Sequence, residues 1–279
     1  FQKIGLPALT VVAFSLLGSI LGASGAFAGT GAPAPWQMGF QAAASPVMEE
    51  IADFHNLLLV IIIAIALFVT ALLLYVIVRF RASNNPVPSK MTHNTLIEVV
   101  WTVVPVLILM VIAIPSFKLL YFMDRTQNPE MTIKATGHQW YWSYDYPDHG
   151  NFTFDAAMVP EGELKEGQLR LLEADNRVVL PVDTDIRVLL TSDDVIHNWA
   201  VPSLGLKLDT VPGRINETWV RIEREGTFYG QCSELCGINH AYMPIAIEAV
   251  SKAAFAEWVE KAKREFAGTE PNSLRVAGR

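Results

Sequence analysis

Two long uncharged apolar stretches limit what this chain can fold into. Leu57–Val78 runs for 22 residues without a charge, and Val99–Phe117 for 19, with Pro105 and Pro115 inside it. A helix needs about 20 apolar residues to cross the hydrocarbon core of a bilayer. It can do so because it satisfies its own backbone hydrogen bonds. A pair of core helices in a large globule is the competing reading, but such helices rarely stay uncharged for so long. The prolines are tolerable where they meet a neighbouring helix or lie near an end. The sequence therefore predicts a helical hairpin over 55–123, with spans at about 57–78 and 99–120. The connection carries Arg79, Arg81 and Lys90, with no acid before Glu98. The positive-inside tendency places that connection in the cytoplasm, so both outer ends face the other side.

An earlier apolar run, from Leu6 to about Ala23, leads to Ala26-Phe27-Ala28. This reads as a secretory signal segment over 1–28 with an A-x-A cleavage site; a third, retained helix is the rival reading. Residues 29–54 form an outer N-terminal segment, whose part from Gly29 to Ser45, rich in Gly, Ala and Pro, reads as a linker.

Overall, 51% of the chain is hydrophobic and 18% charged, where soluble domains average about 25% charged. The two halves differ. Residues 124–279 hold 24 acids against 16 bases, whereas 1–123 hold 4 and 5. An acidic outer body argues against nucleic acid and favours a basic partner.

From Met131 to about Ser251 the pattern becomes one of short strands rich in β-branched and aromatic residues. They fall at 131–136, 139–146, 151–154, 177–182, 185–191, 217–222, 226–229 and 245–250, separated by turn residues such as Pro147-Asp148 and Pro212-Gly213. This spacing predicts a β-sandwich or barrel over 124–251. The closing segment, 252–279, begins as a helix from Lys252 to Arg264. Ser251 is its N-cap, and Ala254, Phe255, Trp258 and Val259 form its apolar face.

Both cysteines lie in Cys232-x3-Cys236-x3-His240-x2-Met243, and His197 lies upstream. A disulfide is the bland reading. Thiolate, imidazole and thioether together are soft donors that favour copper over magnesium or calcium, and zinc sites do not use thioether. A blue-copper site needs two His, one Cys and a weak Met; this set has one thiolate more. Two thiolates from one loop can bridge two metals, each completed by one His. Met243 and a backbone carbonyl are suitable weak ligands.

The Cys loop resembles the dinuclear copper (CuA) loop of cytochrome c oxidase subunit II, of the bacterial haem–copper type. Gly137-His-Gln-Trp-Tyr-Trp-Ser-Tyr144, Val211-Pro-Gly-Arg214 and Thr92-His-Asn-Thr-Leu-Ile-Glu-Val-Val-Trp101 match the same family, and the likeness extends over nearly all of 45–260. The resemblance implies a membrane-anchored all-β protein, a two-helix transmembrane hairpin followed by a cupredoxin-like domain. It implies copper ligation by His197, Cys232, Cys236, His240 and Met243 through side chains and by Glu234 through its carbonyl. The Glu234 side chain would reach a magnesium or manganese ion shared with subunit I. Trp140 matches the residue where cytochrome c delivers its electron. Asp145, Asp155 and Asp194 match acids that face the donor, and Glu98 the entrance of a proton channel. The implied partners are subunit I with its haem and copper, other oxidase subunits, cytochrome c and membrane lipid. The implied site of action is the bacterial inner membrane, with both termini and the copper domain periplasmic. No haem is expected in this chain, which has no C-x-x-C-H motif. A quinol oxidase subunit would lack the copper ligands, nitrous oxide reductase would need a second large domain, and a copper carrier would have no use for Trp140, Glu98 or Glu234.

Overall fold

The computed structural model describes residues 31–124 and 128–266. The signal segment expected over 1–28 lies outside the described residues, as does the tail from 267. Two long helices come first, α1 (Pro46–Arg79) and α2 (Thr95–Met123). Both are long and apolar enough to cross a membrane, and their side chains are almost all exposed, as lipid-facing residues would be in water-free surroundings.

Each helix starts earlier than its apolar run, because each has a capping residue there. Ser45 Oγ accepts the Met48 N–H, and Pro46 supplies a preset φ at the first helical position. Asn94 Oδ1 accepts the Ile97 N–H. The first turn of α1 belongs to the outer domain: Val47 and Met48 are buried, and Ile51 meets Gly205. Pro105 and Pro115 sit within α2 without ending it.

Ten strands follow: β1 (Met131–His138), β2 (Tyr141–Tyr146), β3 (Phe152–Ala156), β4 (Val178–Pro181), β5 (Ile186–Ser192), β6 (His197–Val201), β7 (Leu206–Thr210), β8 (Asn216–Val220), β9 (Gly226–Cys232) and β10 (Pro244–Val250). They form two five-stranded sheets, in the orders β3-β2-β1-β5-β8 and β4-β10-β9-β6-β7. Pairing is antiparallel except for β1 with β5 and β4 with β10. Trp142, Trp199, Tyr144, Tyr146, Phe154 and Phe228 are fully buried in the core. At about 25 cal/mol per Å² of apolar surface removed from water, large aromatic side chains dominate such a core. Helix α3 (Lys252–Glu265) has Ser251 as its N-cap and seats Phe255, Val259 and Ala262 on the sandwich.

The sequence pattern does not mark β6 or β7, and His197 begins β6. All five residues of β6 are buried, so it lacks the alternation that betrays a half-exposed strand. The stretch read as a linker is also tied down. Gly31 O accepts Tyr229 N–H at 2.8 Å, Ala44 N–H donates to Ser203 O at 2.9 Å, and Glu223 N–H donates to Ala44 O at 3.0 Å. The hairpin is held at both outer ends: Ser45 Oγ donates to Leu204 O at 2.8 Å, and Trp219 Nε1 donates to Phe122 O at 3.0 Å.

Candidate metal centre

Strand β6 opens with His197 and its neighbour β9 closes with Cys232. The two run antiparallel, with Trp199 opposite Cys232, so imidazole and thiol emerge at the same end of one sheet. The chain then loops through Cys236 and His240 to Met243, just before β10 returns alongside β9. One end of a sheet and one loop thus collect the donors that lie apart in sequence.

Cys232 Sγ stands 3.9 Å from His197 Nδ1 and 3.8 Å from Cys236 Sγ. Cys236 Sγ stands 3.6 Å from His240 Nδ1 and 3.5 Å from Met243 Sδ. The ligand atoms of His197, Cys232 and Cys236 all lie within 4.8 Å of one another, and all three residues are buried. Both thiols are free; their separation exceeds the roughly 2.05 Å of a disulfide. The Glu234 carbonyl accepts from Cys232 Sγ at 3.3 Å, and its side chain is exposed.

The loop is braced from the other sheet. Cys236 O accepts Gln139 Nε2 at 2.7 Å and the Trp140 indole N–H at 3.2 Å. Met243 O accepts the Trp142 indole N–H and the Cys232 N–H, each at 3.3 Å. Gly237 has φ +122°, and a Cβ there would stand 3.0 Å from the Trp140 ring, so both its conformation and the indole above it require glycine. Gly137 has no such backbone demand, yet a Cβ would lie 2.7 Å from His197 Cδ2 and 3.1 Å from Thr210 Oγ1. The Gly137→Ala chain should fold and pair β1 as before but hold His197 out of place. Copper retention against a chelator is expected to fall by about 10- to 100-fold, the usual effect of disturbing a ligand's support. Retention equal to wild type would refute this steric reading.

The two thiols ionise unequally. Burial works against the Cys232 thiolate, but hydrogen bonds from His197 and from nearby backbone outweigh it and lower its pKa to about 7. Burial, and then the charge of Cys232, push Cys236 up to about 12. Burial also opposes charge on His197, but its bonds to Cys232 and Asp194 prevail and raise it. One thiolate therefore forms readily, and the second needs a cation to displace its proton. Soft donors, two thiolates and a dry shell fit copper.

The other expected positions are spread out. Asp194 lies at the rim, 2.8 Å from His197 Nε2. Asp145 accepts from Thr153 Oγ1 at 2.5 Å and pairs with Lys134 at 3.4 Å, while Asp155 accepts from Ser143 Oγ at 2.6 Å. Glu98 sits in the first turn of α2, at the opposite end from the outer domain. At 1.5 Å per residue that is about 40 Å of helix away. Sequence reasoning did not single out Gln139 or the support role of Gly137; their partners are about 60–100 residues distant, and only the folded sheets join them.

A membrane hairpin carrying a cupredoxin-like sandwich, with two free thiols and an imidazole gathered at one rim, defines a class: membrane-anchored β-sandwich domains with a soft-donor metal site. The comparisons give the family. The model described as cytochrome c oxidase subunit II, periplasmic domain, matches residues 131–250, and that of the transmembrane domain matches 33–119. A Rickettsia bellii protein described as "Probable cytochrome c oxidase subunit 2" is 53% identical over 260 residues, 93% of this chain and 96% of its own length. Cytochrome c oxidase subunit 2 of Oenothera berteroana is 54% identical over 231 residues, 81% of this chain and 90% of its own. The crystal structure of the periplasmic domain of subunit II of cytochrome oxidase from Bradyrhizobium japonicum is 54% identical, covers 51% of this chain and 100% of that one, and has a TM-score of 0.48. The chain belongs to the cytochrome c oxidase subunit II family, and is a subunit of a haem–copper oxidase.

Proposed function

We propose that this chain is the electron-entry subunit of its oxidase, taking electrons from cytochrome c on the outer side of the membrane and passing them toward haem in subunit I. There oxygen is reduced to water and protons are pumped. The observation that carries this reading is the buried cluster of His197, Cys232 and Cys236, with donor atoms within 4.8 Å, flanked by His240 and Met243. Two copper ions held by these side chains would supply one-electron chemistry there.

The protein's own groups do the rest. Cys232 and Cys236 would bridge; His197 and His240 would each complete one copper; Met243 and the Glu234 carbonyl would be weak ligands. The bracing by Gln139, Trp140 and Trp142 keeps the donors from relaxing between charge states. Trp140 is half-buried and its indole N–H bonds to the carbonyl of a thiolate residue, so one ring links the surface to the site. Asp145, Asp155 and Asp194 would help draw a basic donor and make its association salt-sensitive. The exposed Glu234 side chain is available to a magnesium or manganese ion shared with subunit I. Glu98, beside the basic connection, would admit protons from the cytoplasmic side.

Metal analysis of the purified full-length chain, with electron spin resonance, tests the centre. Two coppers per chain and one spin shared by both are expected. A single copper, or an active protein with Cys232 bonded to Cys236, would refute it.

A further inference from the structure

Of the three acids expected to face the donor, Asp194 is bonded quite differently from Asp145 and Asp155. Its Oδ1 accepts from His197 Nε2 at 2.8 Å and from the Val195 N–H at 2.6 Å. Its Oδ2 accepts the Gln139 N–H at 2.6 Å. Gln139 Nε2 and the Trp140 indole then converge on Cys236 O. The two oxygens of one carboxylate therefore reach both halves of the site: the imidazole on β6, and the β1–β2 turn that clasps the second cysteine.

The chemistry of the carboxylate fixes the proton on His197. An ionised carboxylate only accepts hydrogen bonds, so Nε2 must carry the hydrogen. In the neutral ring Nδ1 then keeps its lone pair, and Nδ1 is the atom that faces Cys232 Sγ at 3.9 Å. Only this tautomer offers a ligand toward the thiols. A metal-bound histidine is commonly oriented in this way by a group on its other nitrogen.

We infer that Asp194 is a positioning residue of the metal centre: it sets the tautomer of His197 and holds the Gln139–Trp140 turn over Cys236. Attraction of the donor is then at most a second consequence of its charge. The inference rests on the proposed copper function only for what the positioned imidazole binds; the tautomer itself is a property of the metal-free chain.

The test uses the full-length chain in detergent, comparing Asp194→Asn and Asp194→Glu with wild type. An amide oxygen cannot serve both faces as the carboxylate does, and its NH₂ will confront a donor on one side; carboxylate-to-amide changes beside histidine favour the wrong tautomer. In the metal-free chain labelled with ¹⁵N-histidine, at a pH high enough to make the ring neutral, His197 should show the Nε2–H form in wild type and a mixture with Nδ1–H in Asp194→Asn. With copper loaded, retention against a chelator should fall by about tenfold or more. The copper hyperfine pattern should change and the reduction potential should rise, because a negative charge that favoured the oxidised site is gone. Asp194→Glu keeps the charge but displaces the carboxylate by a methylene, so it should alter the hyperfine pattern too. A pure docking acid predicts the opposite: tautomer, retention and spectrum unchanged in both variants, with only a salt-dependent rise in KM for cytochrome c in Asp194→Asn. That result would overturn the inference. A wild-type chain that takes up no copper would overturn the proposed function instead, while the ¹⁵N spectra would still decide the role of Asp194.

Discussion

The Cys236→Ser chain is expected to hold at most one copper and to lose oxidation of cytochrome c almost completely. Cys236 is the hub of the cluster, since its sulfur lies within 4 Å of the sulfurs of Cys232 and Met243 and the Nδ1 of His240. Serine keeps the size and the buried hydrogen-bonding group but is a hard donor that does not ionise near neutral pH, so it cannot bridge as a thiolate does. The loss should exceed the roughly 10- to 100-fold that follows removal of an outer support. The copper-to-chain ratio and the steady-state turnover of the assembled oxidase with reduced cytochrome c measure both effects. Cys236→Ser protein that kept its full copper and a shared spin would mean the centre does not need two thiolates, and the proposed centre would fall.

The largest effect on stability is expected from Arg177→Ala. The Glu173 side chain is wholly buried, and Arg177 holds it through a fork of two bonds, from Nε and Nη2, each 2.8 Å long. Tyr229 OH donates to the same carboxylate at 3.2 Å. Arg177 also approaches Glu248 at 3.6 Å. Taking away the guanidinium strands a carboxylate in the interior with one neutral donor, a change that costs about 3–5 kcal/mol. For a domain of this size that is a fall in melting temperature of about 10 °C, measured on the metal-free chain so that metal binding does not mask it. Arg177→Lys keeps the charge but not the planar fork and should fall between the two. A melting temperature within a degree or two of wild type would show that the pair is not a stabilising element. The pair also bears on the site. It pins the long segment between β3 and β4 to β9, where Gln231 Nε2 reaches Leu171 O at 3.2 Å, one residue before Cys232.

Much of this was legible in the sequence for a physical reason. A bilayer imposes length and apolarity together, so the stretches beginning at Leu57 and Val99 declare themselves without any tertiary information. Soft ligands at short spacing do the same for the copper loop. Strands such as Ile186–Ser192, buried and half-exposed in turn, show their period plainly. What stayed hidden is whatever the fold alone brings together. Strand β6 is buried along its whole length and so has no period to read. Trp140 and Gln139 owe their place to a carbonyl almost a hundred residues away. Asp194 read as one of three acids facing the donor, because nothing in Asp194-Val-Ile-His197 says that the carboxylate turns back onto the imidazole. The extra turns at the start of α1 were missed because their residues are not apolar enough to belong to a span; they are held by the outer domain instead.

The bonds from Ser45 to Leu204 and from Trp219 to Phe122 grip the hairpin at the outer ends of both helices. A body hung from one rod can sweep a cone, and one held at two points can only rock about the line between them. The strap of Ala44 between Ser203 and Glu223 opposes that last motion. The rim that carries His197, Cys232 and Cys236 is therefore held in a set heading relative to the two helices. On the proposed function, a donor arriving along the membrane surface would meet a stationary landing stage, and its search would reduce to finding a place in a plane.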